Sequence, residues 1–146
     1  MAKRKSLAQS PCPVARALDI VGDRWSMLIV RDAFDGIRRF GAFEASLGVA
    51  RNILTDRLRS LVEQGILQLI PASDGTVYQE YVLTAKGEAL FPVVVTLRQW
   101  GEVNLYAEGE PHSVLLERNT GQPLATLVVT GEGGVEVKPS AAYVKK

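Results

Sequence analysis

The residues with the clearest capacity for chemistry lie in one stretch, RNILTDRLRSLVEQG, at positions 51–65. At 100° per residue this stretch predicts an amphipathic helix with one polar face. The side chains that its N-terminal half presents outward are Arg51, Asn52, Thr55 and Arg59. Arginine and asparagine can each form paired hydrogen bonds with base edges in the major groove of DNA. This face therefore favours contact with double-stranded DNA, and the alternative is an ordinary charged surface.

The opposite side of the same helix is apolar. The residues that fall together there are Leu54, Leu58, Leu61 and Val62, and their spacing predicts packing on a hydrophobic core. Arg57 lies at the flank of this apolar side. We therefore expect Arg57 to have a structural role, unlike the arginines of the polar face.

Few other residues could support catalysis or metal binding. One cysteine, Cys12, and one histidine, His112, cannot form a disulfide within the chain or a closed zinc site of nitrogen and sulfur ligands. The sequence has no GxSxG signature, and an enzyme would depend on Cys12 as a nucleophile without a base paired to it. We expect no enzymatic activity, no metal and no cofactor.

The charge is distributed unevenly along the chain. Residues 1–60 contain eleven Lys and Arg against six Asp and Glu, a balance of +5, whereas residues 61–146 contain six against ten, a balance of −4. A basic front half favours an anionic partner, although a solvated charged face has the same composition.

Around the arginine helix the sequence predicts a mainly α fold with a small β part. Pro13 and Gly22 delimit a short first helix, Asp23 precedes a second, and Gly48 ends a third. The runs at 66–70 and 76–84 have β character, and the sequence ASDGT between them favours a tight hairpin. The last helix is predicted over 85–106, capped by Thr84 and kinked at Pro92.

The order of these elements is that of a winged helix-turn-helix: three helices, a short turn, a further amphipathic helix and a hairpin. The turn LGVA, residues 47–50, has the length of a helix-turn-helix turn. The turn, the hairpin and the basic front half together favour DNA contact by the helix that follows the turn.

The sequence changes character after the last helix. From His112 onward, the runs SVLLE, PLATLVV and GVEVK are separated by glycine-containing turns. They predict a small three-stranded meander. We therefore predict two parts, a DNA-binding domain at 1–108 and a small β-rich extension at 109–146.

No export signal or membrane segment is predicted. The basic N-terminus is not followed by an apolar run, and the longest such run in the chain is LFPVVV. We expect a cytoplasmic protein that does not enter the membrane.

Three segments resemble the HxlR-type winged-helix transcriptional regulators of bacteria: CPVARALDIVGDRW, RRFGAFEASLGVARNILTDRLRSLVEQGIL and YVLTAKGEALFPVVVTLRQWG. They cover most of residues 12–101 in the same order. The resemblance implies a homodimeric repressor or activator that binds DNA, with dimer contacts from the N-terminal and last helices. The apolar residues expected at this interface are Val14, Leu18, Leu90, Val94, Leu97 and Trp100.

The resemblance also draws attention to Cys12, because the family often has a cysteine at this position and in some members that thiol senses oxidants or electrophiles. Its place before Pro13, with Arg16 one turn further on, favours the thiolate. The alternative is a small side chain at the dimer contact. A small-molecule effector is also possible, and the aromatic residues Trp25, Phe91, Trp100 and Tyr106 either line its pocket or belong to the core.

The hairpin departs from the family pattern, which has basic residues there. No Lys or Arg occurs between Arg59 and Lys86, whereas Asp74 and Glu80 fall in the hairpin. Phosphate contacts are therefore expected from Lys3, Arg4 and Lys5, from Arg38 and Arg39, and from the arginine helix. The alternative function is a winged-helix module that binds protein rather than specific DNA.

Overall fold

The computed structural model describes residues 5–146 and begins with four helices. These are α1 (Pro13–Val21), α2 (Arg24–Phe34), α3 (Phe40–Leu47) and α4 (Arg51–Glu63). Pro13 occupies the first turn of α1, where its missing N–H costs nothing. The predicted bounds of these helices are confirmed to within two residues.

Two residues fix the ends of the helices that frame α4. The carboxylate of Asp23 accepts hydrogen bonds from the backbone N–H groups of Trp25 and Ser26 and so caps α2. Gly48 ends α3 with φ 61°, a left-handed conformation that glycine adopts without strain. The chain can therefore turn within three residues from α3 into α4.

The hairpin consists of β1 (Leu67–Pro71) and β2 (Gln79–Leu83), paired antiparallel with Leu67 opposite Leu83. The predicted tight turn is wrong, since the loop runs from 72 to 78. Local hydrogen bonds hold this wider loop: the Glu80 carboxylate accepts from the Ser73 N–H at 2.9 Å, and Asp74 accepts from the Thr76 N–H at 3.0 Å. We call residues 67–83 the wing.

The hydrophobic core lies between α2, α3, α4 and the start of the wing. Its fully buried side chains include Ile29, Phe43, Leu54, Leu58 and Leu61. The apolar face predicted for α4 is therefore confirmed, and burying its three leucines fixes the direction in which the polar face points.

The predicted last helix is interrupted. It forms α5 (Ala85–Glu88) and α6 (Phe91–Asn104), and the Thr84 side chain caps α5 by accepting from the Gly87 N–H. Pro92 lacks an N–H and its ring conflicts with the carbonyl four residues earlier, so the helical ladder breaks where only a kink was predicted.

The chain forms two compact units, one extending to Val94 and the other from Val95 onward. In the second unit the three predicted runs pair in the order of a meander but form no continuous strands. Only two isolated bridges, Leu116–Pro123 and Thr130–Glu136, join the predicted runs, followed by a 3₁₀ turn at Pro139–Ala141. Pro123 cannot donate to a ladder, and the side chain of Gln99 occupies backbone groups that a neighbouring strand would pair with. The division at residue 108 remains a prediction.

No helix within residues 5–146 combines the length and apolar character that crossing a membrane requires.

Candidate nucleic-acid interface

The N-terminal half of α4 presents the four predicted polar side chains to solvent. Arg51, Asn52, Thr55 and Arg59 are all exposed, because Leu54 and Leu58 on the other side of the helix are fully buried. An α-helix presented this way fits the width of the major groove of B-DNA. The structure therefore brings the predicted residues together on one accessible face.

Asn52 and Thr55 differ in their freedom to bind a ligand. Within residues 5–146, the Asn52 amide makes no hydrogen bond to another side chain or to the backbone. The Thr55 hydroxyl donates to the Arg51 carbonyl at 2.8 Å, so its oxygen remains available only as an acceptor. Asn52 thus retains its full capacity for a bidentate contact with adenine.

Arg51 is held against α3. Its Nη1 lies 3.2 Å from Glu44 Oε1, and its guanidinium lies 4.7 Å from the centre of the Phe40 ring. The side chain is still 72% exposed, and exposed ion pairs contribute little free energy. A DNA phosphate can therefore displace Glu44 at small cost.

Arg57 and Arg59 occupy contrasting environments on the same helix. Arg59 Nη2 pairs at 3.2 Å with Asp56 and is 63% exposed, whereas Arg57 Nε lies 3.2 Å from Asp23 Oδ2. Since Asp23 also caps α2, Arg57 links that cap to α4. This placement agrees with the structural role expected for Arg57.

The first turn of α4 also has unpaired backbone N–H groups, which favour an anion. No side chain caps the helix, and among the described residues the backbone N–H groups of Arg51 and Asn52 have no acceptor. Unpaired N–H groups and the helix dipole favour a negative charge at this end. They lie beside the four polar side chains and add a position for a phosphate.

Arg39 connects the start of α3 to the wing. It forms an ion pair with Asp74, and its guanidinium lies 5.4 Å from the centre of the Tyr78 ring. Hydrogen bonds from Thr76, and then the pairing with Arg39, lower the pKa of Asp74 from 3.8 to about 2. The negative charge of Asp74 in the wing is thus paired with Arg39, a residue that the sequence predicted to contact DNA.

Arg38 and Lys5 are exposed. The Arg38 carbonyl accepts a hydrogen bond from the Tyr81 N–H at 2.7 Å, which fixes the backbone before α3 to the wing. Lys3 and Arg4, also predicted to contact phosphates, lie outside the described residues.

A groove of about 640 Å³ separates the start of α3 from the wing. Arg39 and Arg51 contribute to its lining together with Phe40, Tyr78 and Tyr81. The sequence did not indicate these aromatic side chains as part of the site. They meet only through contacts distant in the chain, so no local pattern could have identified them.

The predicted dimer residues fall into two groups. Val14, Leu18, Leu97 and Trp100 are exposed, between 50% and 65%. Leu90 and Val94 are half-buried against the core. The exposed group leaves apolar surface available on α1 and α6.

Cys12 is exposed immediately before α1. Of the aromatic residues considered for an effector pocket, Trp25 packs against the core and Phe91 stacks edge-on against Phe34 at 5.2 Å. Trp100 and Tyr106 are exposed. Residues 5–146 contain no group of three His, Cys, Asp or Glu side chains arranged to hold a metal ion.

These helices and the hairpin define a winged helix-turn-helix protein. Residues 20–109 match the HxlR-like helix-turn-helix family, and the chain belongs to that family of DNA-binding transcriptional regulators. It is a transcriptional regulator rather than an enzyme.

The chain is similar to HTH-type transcriptional regulators from several bacteria. The HTH-type transcriptional regulator Rv3095 of Mycobacterium tuberculosis is 40% identical over 124 residues, which cover 85% of this chain and 78% of that protein. The crystal structure of PA1607 is 51% identical, covers 96% of this chain and 98% of its own, and superposes with a TM-score of 0.91. The oxidised redox regulator HypR is 32% identical, covers 66% of this chain and 100% of its own, with a TM-score of 0.59.

Proposed function

We propose that the protein binds a palindromic DNA operator as a homodimer, with α4 of each subunit in a major groove. The observation that carries this proposal is the exposed face of Arg51, Asn52, Thr55 and Arg59 on a helix anchored by buried leucines. Asn52 and Arg59 supply base contacts, and the N-terminus of α4 receives a backbone phosphate.

The arginines near the wing contact the DNA backbone in this proposal. Arg38 is exposed and ready for a phosphate, whereas Arg39 must exchange Asp74 for one. Phosphate contacts position a protein on the duplex without specifying sequence. Arg38 and Arg39 thus contribute affinity, and α4 contributes specificity.

The homodimer is proposed to form through exposed apolar side chains of α1 and α6, namely Val14, Leu18, Leu97 and Trp100. In a two-fold symmetric dimer, the two copies of α4 contact two half-sites of the DNA that are related by the same symmetry. The operator sequence is then expected to be a palindrome. Leu90 and Val94 support α6 from the core side.

Cys12 is proposed as a redox-responsive position, supported by its exposure and by the likeness to a redox regulator. The thiolate would react with an oxidant or electrophile, and the product at the start of α1 would alter the dimer contact.

Salt dependence of binding tests the proposal. Affinity for duplex DNA is measured by fluorescence anisotropy between 50 and 200 mM salt. A plot of the logarithm of the association constant against the logarithm of the salt concentration is expected to have a slope of about −0.9 for each phosphate contacted. A control protein with Arg51→Ala and Arg59→Ala is expected to keep the fold, because both side chains are exposed, and to bind DNA more weakly. An affinity that does not depend on salt would contradict DNA binding and favour a protein-interaction module.

A further inference from the structure

The groove between α3 and the wing has the dimensions of a small-molecule site. Its volume of about 640 Å³ lies within the range of roughly 300–1,000 Å³ that is typical of ligand pockets. The residues that line it belong to the unit that ends at Val94 and include Arg39, Phe40, Arg51, Leu69, Tyr78 and Tyr81. The groove therefore has a composition that can be compared with the chemistry of a ligand.

The charge along the groove is positive. Among the described residues that line it, only Arg39 and Arg51 are charged. The carboxylates of Asp74 and Glu44 pair with these arginines but do not line the groove. Both ion pairs are open to water, and such pairs contribute little free energy. An anion in the groove can therefore take the place of either carboxylate.

The other walls of the groove are aromatic and apolar. Tyr78 is 63% exposed and Leu69 is 41% exposed, so both have surface that a ligand can cover. Tyr81 is held in place by an edge-on contact with Phe43 of the core, with the ring centres 6.4 Å apart. A flat ring bound here gains free energy from apolar burial and from contacts between aromatic faces and edges.

The charge and the walls together define the class of ligand. A guanidinium binds a carboxylate through two parallel N–H···O bonds. A phosphate of the DNA backbone would also satisfy Arg39 and Arg51, but it would leave Tyr78 and Leu69 exposed to water. The groove therefore fits a small molecule that carries both a negative charge and an aromatic ring.

We infer that the groove binds a small aromatic carboxylate and that the bound ligand excludes DNA. The ligand carboxylate pairs with Arg39 in place of Asp74. Arg39 joins the two sides of the groove, because it precedes α3 and contacts Asp74 and Tyr78 of the wing. The ligand thus occupies two arginines, Arg39 and Arg51, that are proposed to contact DNA. Ligand and DNA then weaken each other's binding, a consequence that rests on the proposed function.

Titration with 2-naphthoate tests the site in the absence of DNA, and 2-naphthalenemethanol is the neutral ligand with the same ring system. Backbone amide signals are followed by NMR in isotope-labelled protein. The amides of Gly41, Ala42 and Gln79 report on the groove, which they line, and Gly48 at the other end of α3 is the reference. We expect saturable shifts at the three groove amides, and about tenfold weaker binding of the alcohol because it has no charge.

Three variants test the role of Arg39. Arg39→Gln should weaken naphthoate binding about tenfold through the loss of charged hydrogen bonds. Asp74→Asn should tighten it about twofold, because it removes the carboxylate that competes for Arg39. Damage to the wing would not produce these opposite effects, since both variants break the same ion pair. Arg24→Gln is the matched control and should bind normally, because Arg24 is exposed on α2 and does not line the groove.

Competition is then measured by anisotropy of a DNA duplex at constant ionic strength. Saturating 2-naphthoate should weaken duplex binding by at least about fivefold, and the alcohol should not. Absent naphthoate binding, equal binding of acid and alcohol, or equal losses in Arg39→Gln and Arg24→Gln would overturn the site. Unchanged duplex affinity at saturating naphthoate would overturn the exclusion of DNA. Naphthoate binding in the expected pattern by a protein that binds no duplex would support the site and contradict the proposed DNA binding.

Discussion

Arg57 and Arg59 lie two residues apart on α4, and replacing each with alanine is expected to give opposite results. Arg59 is 63% exposed and pairs only with Asp56 on its own helix. Its removal should therefore hardly affect stability, since an exposed pair at this spacing is worth about 0.3–0.5 kcal/mol. The loss of a base contact should weaken operator binding by about 1–3 kcal/mol, roughly 5- to 150-fold.

Arg57 should behave in the reverse way. Its side chain is 35% exposed and the Asp23 partner 17%, so the pair is partly screened from water. Arg57 Nε lies within ion-pair distance of Asp23 but has no aligned hydrogen bond. We therefore expect Arg57→Ala to cost about 1 kcal/mol of unfolding free energy, or a fall of roughly 4–8 °C in Tm for a unit of this size.

Two assays separate these outcomes: thermal unfolding by circular dichroism, and anisotropy titration of a DNA duplex selected by the wild-type protein. Affinity is corrected for the folded fraction of each variant. If Arg59→Ala destabilises the protein and binds normally when folded, while Arg57→Ala loses affinity with an unchanged Tm, the assignment of the two faces of α4 is wrong.

The remaining predictions concern the wing, the dimer and the thiol. Asp74→Asn should release Arg39 to a phosphate, tightening binding to all duplexes alike and steepening the salt slope by about 0.9; unchanged affinity and slope would show that Arg39 does not reach DNA. The pKa of Asp74 is lowered from 3.8 to about 2. Its contribution to the stability of the fold should therefore be complete above about pH 4 and lost as the pH falls toward 2. A midpoint near 3.8 in an NMR titration of this carboxylate would contradict the lowered pKa. Leu97 is 54% exposed, and Leu97→Asp puts a charge at this position of the proposed interface. The variant should shift toward monomer and bind DNA more weakly. An unchanged dimer in sedimentation would exclude α6 from the interface. An oxidant should change the operator affinity of the wild type and leave Cys12→Ser unaffected, and equal responses would leave Cys12 a structural residue.

Local patterns in the sequence predicted the four N-terminal helices and the exposed face of α4. The spacing of Leu54, Leu58 and Leu61 was sufficient for that face, because burial of one side of a helix determines the direction of the other. Asp23, Pro13 and Gly48 marked helix ends through chemistry that acts within a few residues. These features depend on neighbours in the chain and are therefore readable from it.

Features that depend on distant contacts were not predicted. The pairing of Arg39 with Asp74 joins residues 35 positions apart, and the sequence suggested only an acidic hairpin that supplies no phosphate contact. The three runs of the predicted meander form only isolated bridges for a similar reason, since the Gln99 side chain takes the place of a strand beside Ala125 and Leu127. Apolar runs between turns indicate extended chain but do not identify its partner.

Recognition of DNA sequence in the major groove by α4 of a two-fold symmetric dimer can be tested by selecting binding sites from random duplex DNA. We expect enrichment of an inverted repeat whose half-site centres lie one helical turn, about 10–10.5 base pairs, or a multiple of it apart. Combining Asn52→Ala with Arg59→Ala should abolish that enrichment. A pool that stays random after repeated selection by the wild-type protein would contradict sequence-specific recognition by this helix.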